Sequence, residues 1–572
     1  MTAQPTAQPT AQPTARPAAQ PIDLVPARLR RAWAAEGIYP DLDLYAQFRA
    51  HRNAAPERPA VIDAAGVLDY AGLDRLVRSV AAGLRDLGVG AGDVVAVQLP
   101  NGRDAVAAEF AVAALGAVAL PFPVGRGAGE AAALLAGARA RAVITVTAHG
   151  DSAPAADLLE AAAAGLPDLR TVIAAGTGEP SGAVAWKELA EADGSGFVPA
   201  RPDPDQVARI LVSSGSEAAP KMVAYSHNAL SGGRGNFIGS LLTDREPPRS
   251  LFLVPLGSAF GSNATPATMA RHGGCLVLLE RFSPVAALEA IARHRPTHIV
   301  AVPAMVRMML DKAPAGDRTD GAPAPAALLL GGSELDAGTA AEAEAVFGCP
   351  VVNVYGSADG VNCHSGLPPL ADEGGGPGVA IGRCDPRVTD IRIDPLPGDP
   401  GEGHAGADGT SGTVVPGAGE IVARGPMTPM SYVGAPALNE RYRTPDGWVR
   451  TGDLGVMDAT GTLRLVGRLK HIVIRGGLNI SLAAVEQAVA AHPGVRDTVC
   501  VGVPDPVLGE RVAACVVPRP GHRLDLESLC SFLTGAGLEK AAHPEHLLVV
   551  ERMPLTPAGK PDRAALRSRI RT

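Results

Sequence analysis

The sequence predicts an α/β fold: a large N-terminal domain of doubly wound α/β subdomains closed by a β-rich subdomain, followed by a small α+β C-terminal domain. Three observations predict it. Short apolar runs alternate with helical stretches through the first half of the chain. A Gly-, Pro- and Asp-rich stretch at 394–419 then gives way to turn-punctuated strands, and the pattern restarts as a compact unit after Gly467-Arg468. At 572 residues the chain exceeds the roughly 250–300 residues at which a single hydrophobic core stops growing, so more than one domain is expected.

Residues 1–22 carry a Thr-Ala-Gln-Pro unit repeated with small changes to Pro21. It lacks the apolar core and cleavage region of a signal peptide and predicts a disordered tail. The large domain is expected over 23–466. Leu73, Leu76, Val77, Val80, Leu84 and Leu87 recur at helical spacing until Gly88 stops the pattern. Strands are expected at 94–99, 142–146, 172–175, 210–212, 251–254, 299–302 and 328–330. Ser283-Pro284 is a cap and first turn for a helix through Ile291. Strands from Glu420 to Val466 form the β-rich subdomain. The unit 467–572 reads as a mobile small domain, with helices at 482–491 and near 526–533 and strands near 498–501 and 512–517.

A composition of 46% hydrophobic and 19% charged residues is that of an ordinary globular enzyme, and a net charge of −8 offers no basic face for nucleic acid. The seven cysteines lie far apart in no CxxC pairing, so reduced thiols are expected. About 18 uninterrupted apolar residues would be needed to span a membrane, and none occur, so a soluble, cytoplasmic enzyme is expected.

Strand 210–212 runs into Ser213-Ser214-Gly215-Ser216-Glu217-Ala218-Ala219-Pro220-Lys221. Small hydroxyl residues and a glycine let backbone N–H groups approach phosphate oxygens while the lysine supplies a point charge. Alone, the stretch reads equally as a Ser/Gly-rich surface turn. In Tyr355-Gly356-Ser357-Ala358-Asp359 an aromatic at a strand end precedes a glycine turn and an acid suited to Mg²⁺ beside a triphosphate, or an ordinary strand-end turn. Asp453, in Thr451-Gly452-Asp453, precedes Arg468 by fifteen residues. A carboxylate suits two ribose hydroxyls and an arginine a phosphate, though a surface ion pair fits as well. Lys560 lies twelve residues from the C-terminus between Pro557-Ala558-Gly559 and Pro561.

In order and spacing these stations resemble the core motifs of the superfamily of acyl-CoA synthetases, nonribosomal-peptide adenylation domains and luciferases, over roughly Leu44 to Leu566. Arg475-Gly476-Gly477-Leu478-Asn479-Ile480 and His492-Pro493-Gly494-Val495 with Gly509-Glu510-Arg511 are especially similar to the aryl-acid and acyl-CoA ligase branches. The resemblance implies ATP-dependent conversion of a carboxylic acid to acyl-AMP, then transfer to a thiol of coenzyme A or of phosphopantetheine on a free-standing acyl carrier protein, in secondary-metabolite biosynthesis. It implies ATP and Mg²⁺, a small carboxylic acid substrate, and no nucleic-acid or membrane partner. Carried over residue by residue, it places Ser213, Ser214, Gly215, Ser216 and Lys221 in the phosphate loop. Gly331, Gly332, Ser333, Glu334, Tyr355, Gly356 and Ser357 would lie beside the nucleotide, Asp359 on the magnesium ion, Asp453 on the ribose and Arg468 on its phosphate side. Lys560 would bridge the attacking carboxylate and the α-phosphate, and Ser258, Ala259, Phe260 and Asn263 would line the acid pocket.

Five positions depart from the usual pattern: Glu217-Ala218 replaces Thr-Gly, Ser258 a histidine, Ala259 the asparagine common in aryl-acid ligases, and His471 the hinge aspartate. Two further readings stand beside the thiol ligase. One keeps adenylation but has an amine or a small inorganic nucleophile such as nitrite as acceptor; the other is an inactive nucleotide-binding homologue.

Overall fold

The computed structural model describes residues 21–213, 220–242, 247–313, 324–332, 335, 337–367, 379–396, 417–469, 472–475, 478–505, 508–536, 538, 540–555 and 561–570. The tail repeat, the interior of the phosphate loop, Ser333, Glu334, His471 and Lys560 lie outside them.

Among the described residues three sheets form. The eight-stranded one has a parallel centre of Val118–Pro121, Val94–Val97, Ala142–Val146 and Thr171–Ala175. These strands are nearly continuous Val/Ile/Ala runs because helices cover both faces. The helix Tyr70–Asp86 is one cover; its N-cap Asp69 accepts a hydrogen bond from the Gly72 N–H at 2.6 Å, and its apolar stripe from Leu73 to Leu84 is buried. At the other end Val207–Val212 pairs antiparallel with Met222–Ser226, placing Val212 opposite Met222. The chain between those two strands is therefore a hairpin loop with Ser213 and Lys221 at its mouth.

The larger sheet has thirteen strands. Pro59–Asp63, Cys275–Leu278, Arg249–Phe252, His298–Ala301, Ala327–Gly331 and Val351–Ser357 are parallel neighbours. From Val361–His364 onward the sheet turns antiparallel, through Val379–Arg383, Thr462–Arg468, Val449–Met457, Gly419–Arg424 and Asp390–Pro395. The strands expected as a β-rich subdomain thus extend the same sheet. Asp453 pairs with Arg468 and Leu454 with Gly467, so the break expected between 466 and 467 falls inside a strand.

The C-terminal strands Leu478–Ser481, Ile472–Arg475, Gly509–Pro518, Val495–Asp505 and His546–Val549 form the third sheet. Its apolar residues, including Val473, Ile480, Val485, Val512 and Leu529, make a separate core with the helices Leu482–Ala490 and Leu526–Gly535. Among the described residues no helix is long and apolar enough to cross a membrane.

Candidate active site

The hairpin mouth is clasped from both sides: the Ser213 N–H donates to the Lys221 carbonyl at 2.9 Å, and the Lys221 N–H donates to Ser213 Oγ at 3.0 Å. This clasp aims the lysine at two aromatic rings. Lys221 Nζ lies 3.9 Å from the Tyr442 ring centroid and 5.4 Å from that of Tyr432, and 3.9 Å from Asp359 Oδ1.

Asp359 is buried and oriented by hydroxyl groups. Tyr432 donates to Oδ1 at 2.6 Å and Ser357 Oγ to Oδ2 at 2.8 Å, while Tyr225 donates to the neighbouring Ala358 carbonyl at 2.8 Å. The next residue, Gly360, has φ +98°, and a Cβ there would stand 2.4 Å from Pro429 Cδ, so the turn that presents Asp359 requires glycine. Tyr225 belongs to the eight-stranded sheet, and Ser431–Tyr432 is that sheet's edge strand, paired to Met222–Ser226, whereas Asp359 follows a strand of the larger sheet. The cluster therefore bridges the two sheets. Burial and the adjacent Asp359 carboxylate push the Tyr432 hydroxyl far above the ordinary tyrosine range, keeping it a neutral donor.

Four residues before Asp359, Tyr355 joins a second cluster. Its hydroxyl donates to Asp453 Oδ2 at 2.7 Å, and Arg468 Nε donates to Oδ1 at 2.8 Å across the Asp453–Arg468 register pair. Burial, with Asp453 beside it, raises the Tyr355 hydroxyl well above its ordinary value. The bend carrying Asp453 is held by Glu420, which accepts from the Gly452 N–H at 3.1 Å and from Arg450 at 2.7 Å. Asp453 itself is 3% exposed, while the Arg468 side chain keeps 42% of its surface open. Gly331 and Gly332 end a strand beside this region. A Cβ on Gly331 would meet the Val354 carbonyl at 2.7 Å, and Gly332 has φ +86°.

The expected pocket residues divide into two kinds. Ser258 Oγ donates to the Pro255 carbonyl at 2.7 Å and accepts from the Gly261 N–H at 3.0 Å. Asn263 donates to the Phe260 carbonyl at 2.9 Å and accepts from Arg234 at 3.4 Å; the same guanidinium donates to the Ala259 carbonyl at 3.0 Å. The polar side chains of Ser258 and Asn263 are thus bonded within the protein, while Ala259 and Phe260 are partly buried apolar surface. The structure brings Ser213, Lys221, Tyr355, Ser357, Asp359, Asp453 and Arg468 into the two clusters. Tyr225, Tyr432, Tyr442 and Arg234 were not expected. Their only sequence signal was an aromatic or basic residue inside an otherwise plain element.

Two α/β sheets meeting at a Ser/Gly hairpin, with a lysine, an oriented acid and a buried carboxylate–arginine pair at the junction, suit an ATP-dependent ligase that activates carboxylic acids. The chain belongs to the AMP-binding enzyme family: the family's model matches residues 48–433, and that of the AMP-binding enzyme C-terminal domain matches 484–560. It is 33% identical to a salicylyl-CoA synthase/salicylate adenylyltransferase of a Streptomyces species, over 90% of this chain and 91% of that one. It is 31% identical to a salicyl-AMP ligase/salicyl-S-ArCP synthetase of Mycobacterium tuberculosis, over 95% and 93%. Among solved structures, the amide bond synthetase McbA of Marinactinospora thermotolerans superposes with a TM-score of 0.74 at 27% identity, covering 92% of this chain and 99% of that one. ATP-bound MatB of Rhodopseudomonas palustris gives 0.77 at 25% identity, covering 92% and 98%. Enzymes of this family use ATP and Mg²⁺ and pass the activated acid to an acceptor.

Proposed function

We propose that this protein converts an aryl carboxylic acid to its acyl-AMP and then transfers the acyl group to a thiol, that of coenzyme A or of a carrier-protein phosphopantetheine. The observation that carries the reading is the pairing of the two clusters through one short segment, Tyr355 to Asp359. Lys221 and the hairpin N–H groups suit the triphosphate, and Asp453 suits the ribose hydroxyls with Arg468 on the phosphate side. Asp359 suits Mg²⁺, since this ion is held by one or two carboxylates plus substrate phosphates and water, and Asp359 is a single oriented carboxylate next to Lys221. Bound there, the ion would neutralise phosphate charge.

Adenylation needs a carboxylate and a triphosphate to approach although they repel, so cations must flank the reacting phosphorus. Lys221 is in place in the large domain, and Lys560 is assigned the bridge between carboxylate and α-phosphate. Once acyl-AMP has formed that bridge is dispensable, and a turn of the small domain would admit the thiol. The names of the two salicylate-activating relatives support an aryl acid. The likeness to an amide bond synthetase supports a second reading with an amine acceptor.

The test is acid-dependent pyrophosphate release over aryl, fatty and amino acids, followed by acceptor competition between coenzyme A, a loaded carrier protein and simple amines. Release with aryl acids and capture by a thiol is the expected result. Capture by amines alone would select the second reading, and no acid-dependent release would reject both.

A further inference from the structure

Arg30, Arg209 and Arg234 are buried, and each guanidinium is bonded to acceptors. Arg30 donates to Asp23 at 2.8 Å and to Asp205 at 2.9 Å, Arg209 to Glu109 at 2.7 Å, and Arg234 to the Ala259 carbonyl at 3.0 Å. Arg443 differs. It is 9% exposed, yet Nε, Nη1 and Nη2 are all enclosed with no hydrogen-bond partner among the described residues. A buried charge left unpaired is retained at the expense of stability.

The place of Arg443 in the fold shows what its charge faces. It caps the helix Pro436–Tyr442, its N–H donating to the Asn439 carbonyl at 3.1 Å, and it pairs with Val449, the first residue of the strand that carries Asp453. The residue before it, Tyr442, supplies the ring that takes Lys221 Nζ at 3.9 Å. One turn earlier, Asn439 fixes the Tyr432 backbone from both sides, accepting from its N–H at 2.8 Å and donating to its carbonyl at 3.0 Å. The ionisable groups acting on the guanidinium are Tyr432, Asp23, Tyr225 and Arg30, and burial outweighs them and holds it below its ordinary value. The two tyrosines are those whose hydroxyls hold the Asp359 turn. Asp23, the carboxylate among the four, already accepts from Arg30 and from the Val25 N–H through Oδ1.

We propose that Arg443 serves the nucleotide site at a distance: its buried charge, beside Tyr432 and Tyr225, attracts the polyphosphate of ATP at Lys221 and Asp359 without touching it. The inference rests on the placement of ATP proposed above. In a water-poor interior a charge acts over a longer range than in solvent, and the neutral hydroxyls of the two tyrosines do not cancel it. The attraction grows with the number of phosphates, which separates it from a packing role. Lost packing weakens every nucleotide alike, whereas a lost charge weakens ATP most. Removing the charge also relieves the fold of an unpaired ion, so affinity and stability should move in opposite directions.

The experiment measures the affinity of the whole chain for ATP with Mg²⁺ and for AMP by titration calorimetry, in the parent, Arg443→Met and Arg443→Leu, with melting temperatures alongside. Both substitutions keep apolar bulk and drop the charge. At least one variant should melt at or above the parent's temperature, bind ATP about tenfold or more weakly, and bind AMP within about threefold of the parent. Parental ATP affinity in a folded variant, equal losses for ATP and AMP, or a lower melting temperature in both variants would overturn the inference and leave the acid-activating reading standing. A parent that binds no ATP would overturn that reading, and the inference with it.

Discussion

At the residue scale, two tyrosines orient the two acids of the site. Tyr355→Phe deletes a hydrogen bond to the buried Asp453 carboxylate, at a cost of about 1–3 kcal/mol. The melting temperature should fall and the KM for ATP rise severalfold, as a thermal scan and an ATP titration would reveal. An unchanged KM would remove Asp453 from nucleotide binding. Asp359→Asn keeps shape but loses charge, so half-maximal activity should require more Mg²⁺ than in the parent; superimposable magnesium titrations would exclude Asp359 as the metal ligand. The acids and cations of the site were legible in the sequence because each sits in a motif of fixed spacing. Tyr432 was not, since a two-residue strand has no periodicity.

At the scale of elements, a buried ion pair ties the helix Arg103–Ala114 to the strand that leads into the hairpin. Arg209 donates to Glu109 at 2.7 Å and to Thr265 at 2.9 Å, Thr265 also donates to Glu109, and both charged side chains are almost wholly enclosed. Arg209→Met strands the Glu109 carboxylate and should cost about 3–5 kcal/mol, whereas Glu109→Leu combined with Arg209→Met should cost much less. Chemical denaturation of the two variants decides this. The helices and strands that were predicted lie within a few residues of their expected places, whereas the parallel strands Pro59–Asp63, Val118–Pro121, Cys275–Leu278 and Val351–Ser357 and the helix Arg103–Ala114 were not predicted. That the antiparallel strands would continue the large sheet was not, because sheet membership is set by tertiary pairing. Two histidines in these elements give the protein an acid limit. Burial lowers His227 from 6.5 to about 4, with the Arg209 charge contributing, and burial likewise lowers His364 to about 4. The unfolded chain therefore takes up protons first as pH falls. Stability from both is full above about pH 6.5 and is lost toward pH 4, at up to about 1.4 kcal/mol per pH unit for each. His364→Gln should flatten the fall in melting temperature between pH 6.5 and 4.5.

At the scale of the whole molecule, the two large sheets hold the clusters while the third sheet closes its own core around Val485, Val512 and Leu529. That independence suits a small domain that moves between half-reactions, and it assigns adenylation and thiol transfer different needs. Lys560 should matter to the first alone. The most direct test of the account is therefore acid-dependent exchange of labelled pyrophosphate into ATP, run on the parent and on Lys560→Ala, alongside transfer to a thiol from pre-formed acyl-AMP. The account predicts exchange in the parent, loss of exchange by two or more orders of magnitude in the variant at an unchanged melting temperature, and transfer from acyl-AMP near the parent's rate, since removing a charge that acts on the transition state lowers that step by about 10²–10³. Exchange at parental rates in Lys560→Ala, or no acid-dependent exchange in the parent, would contradict it.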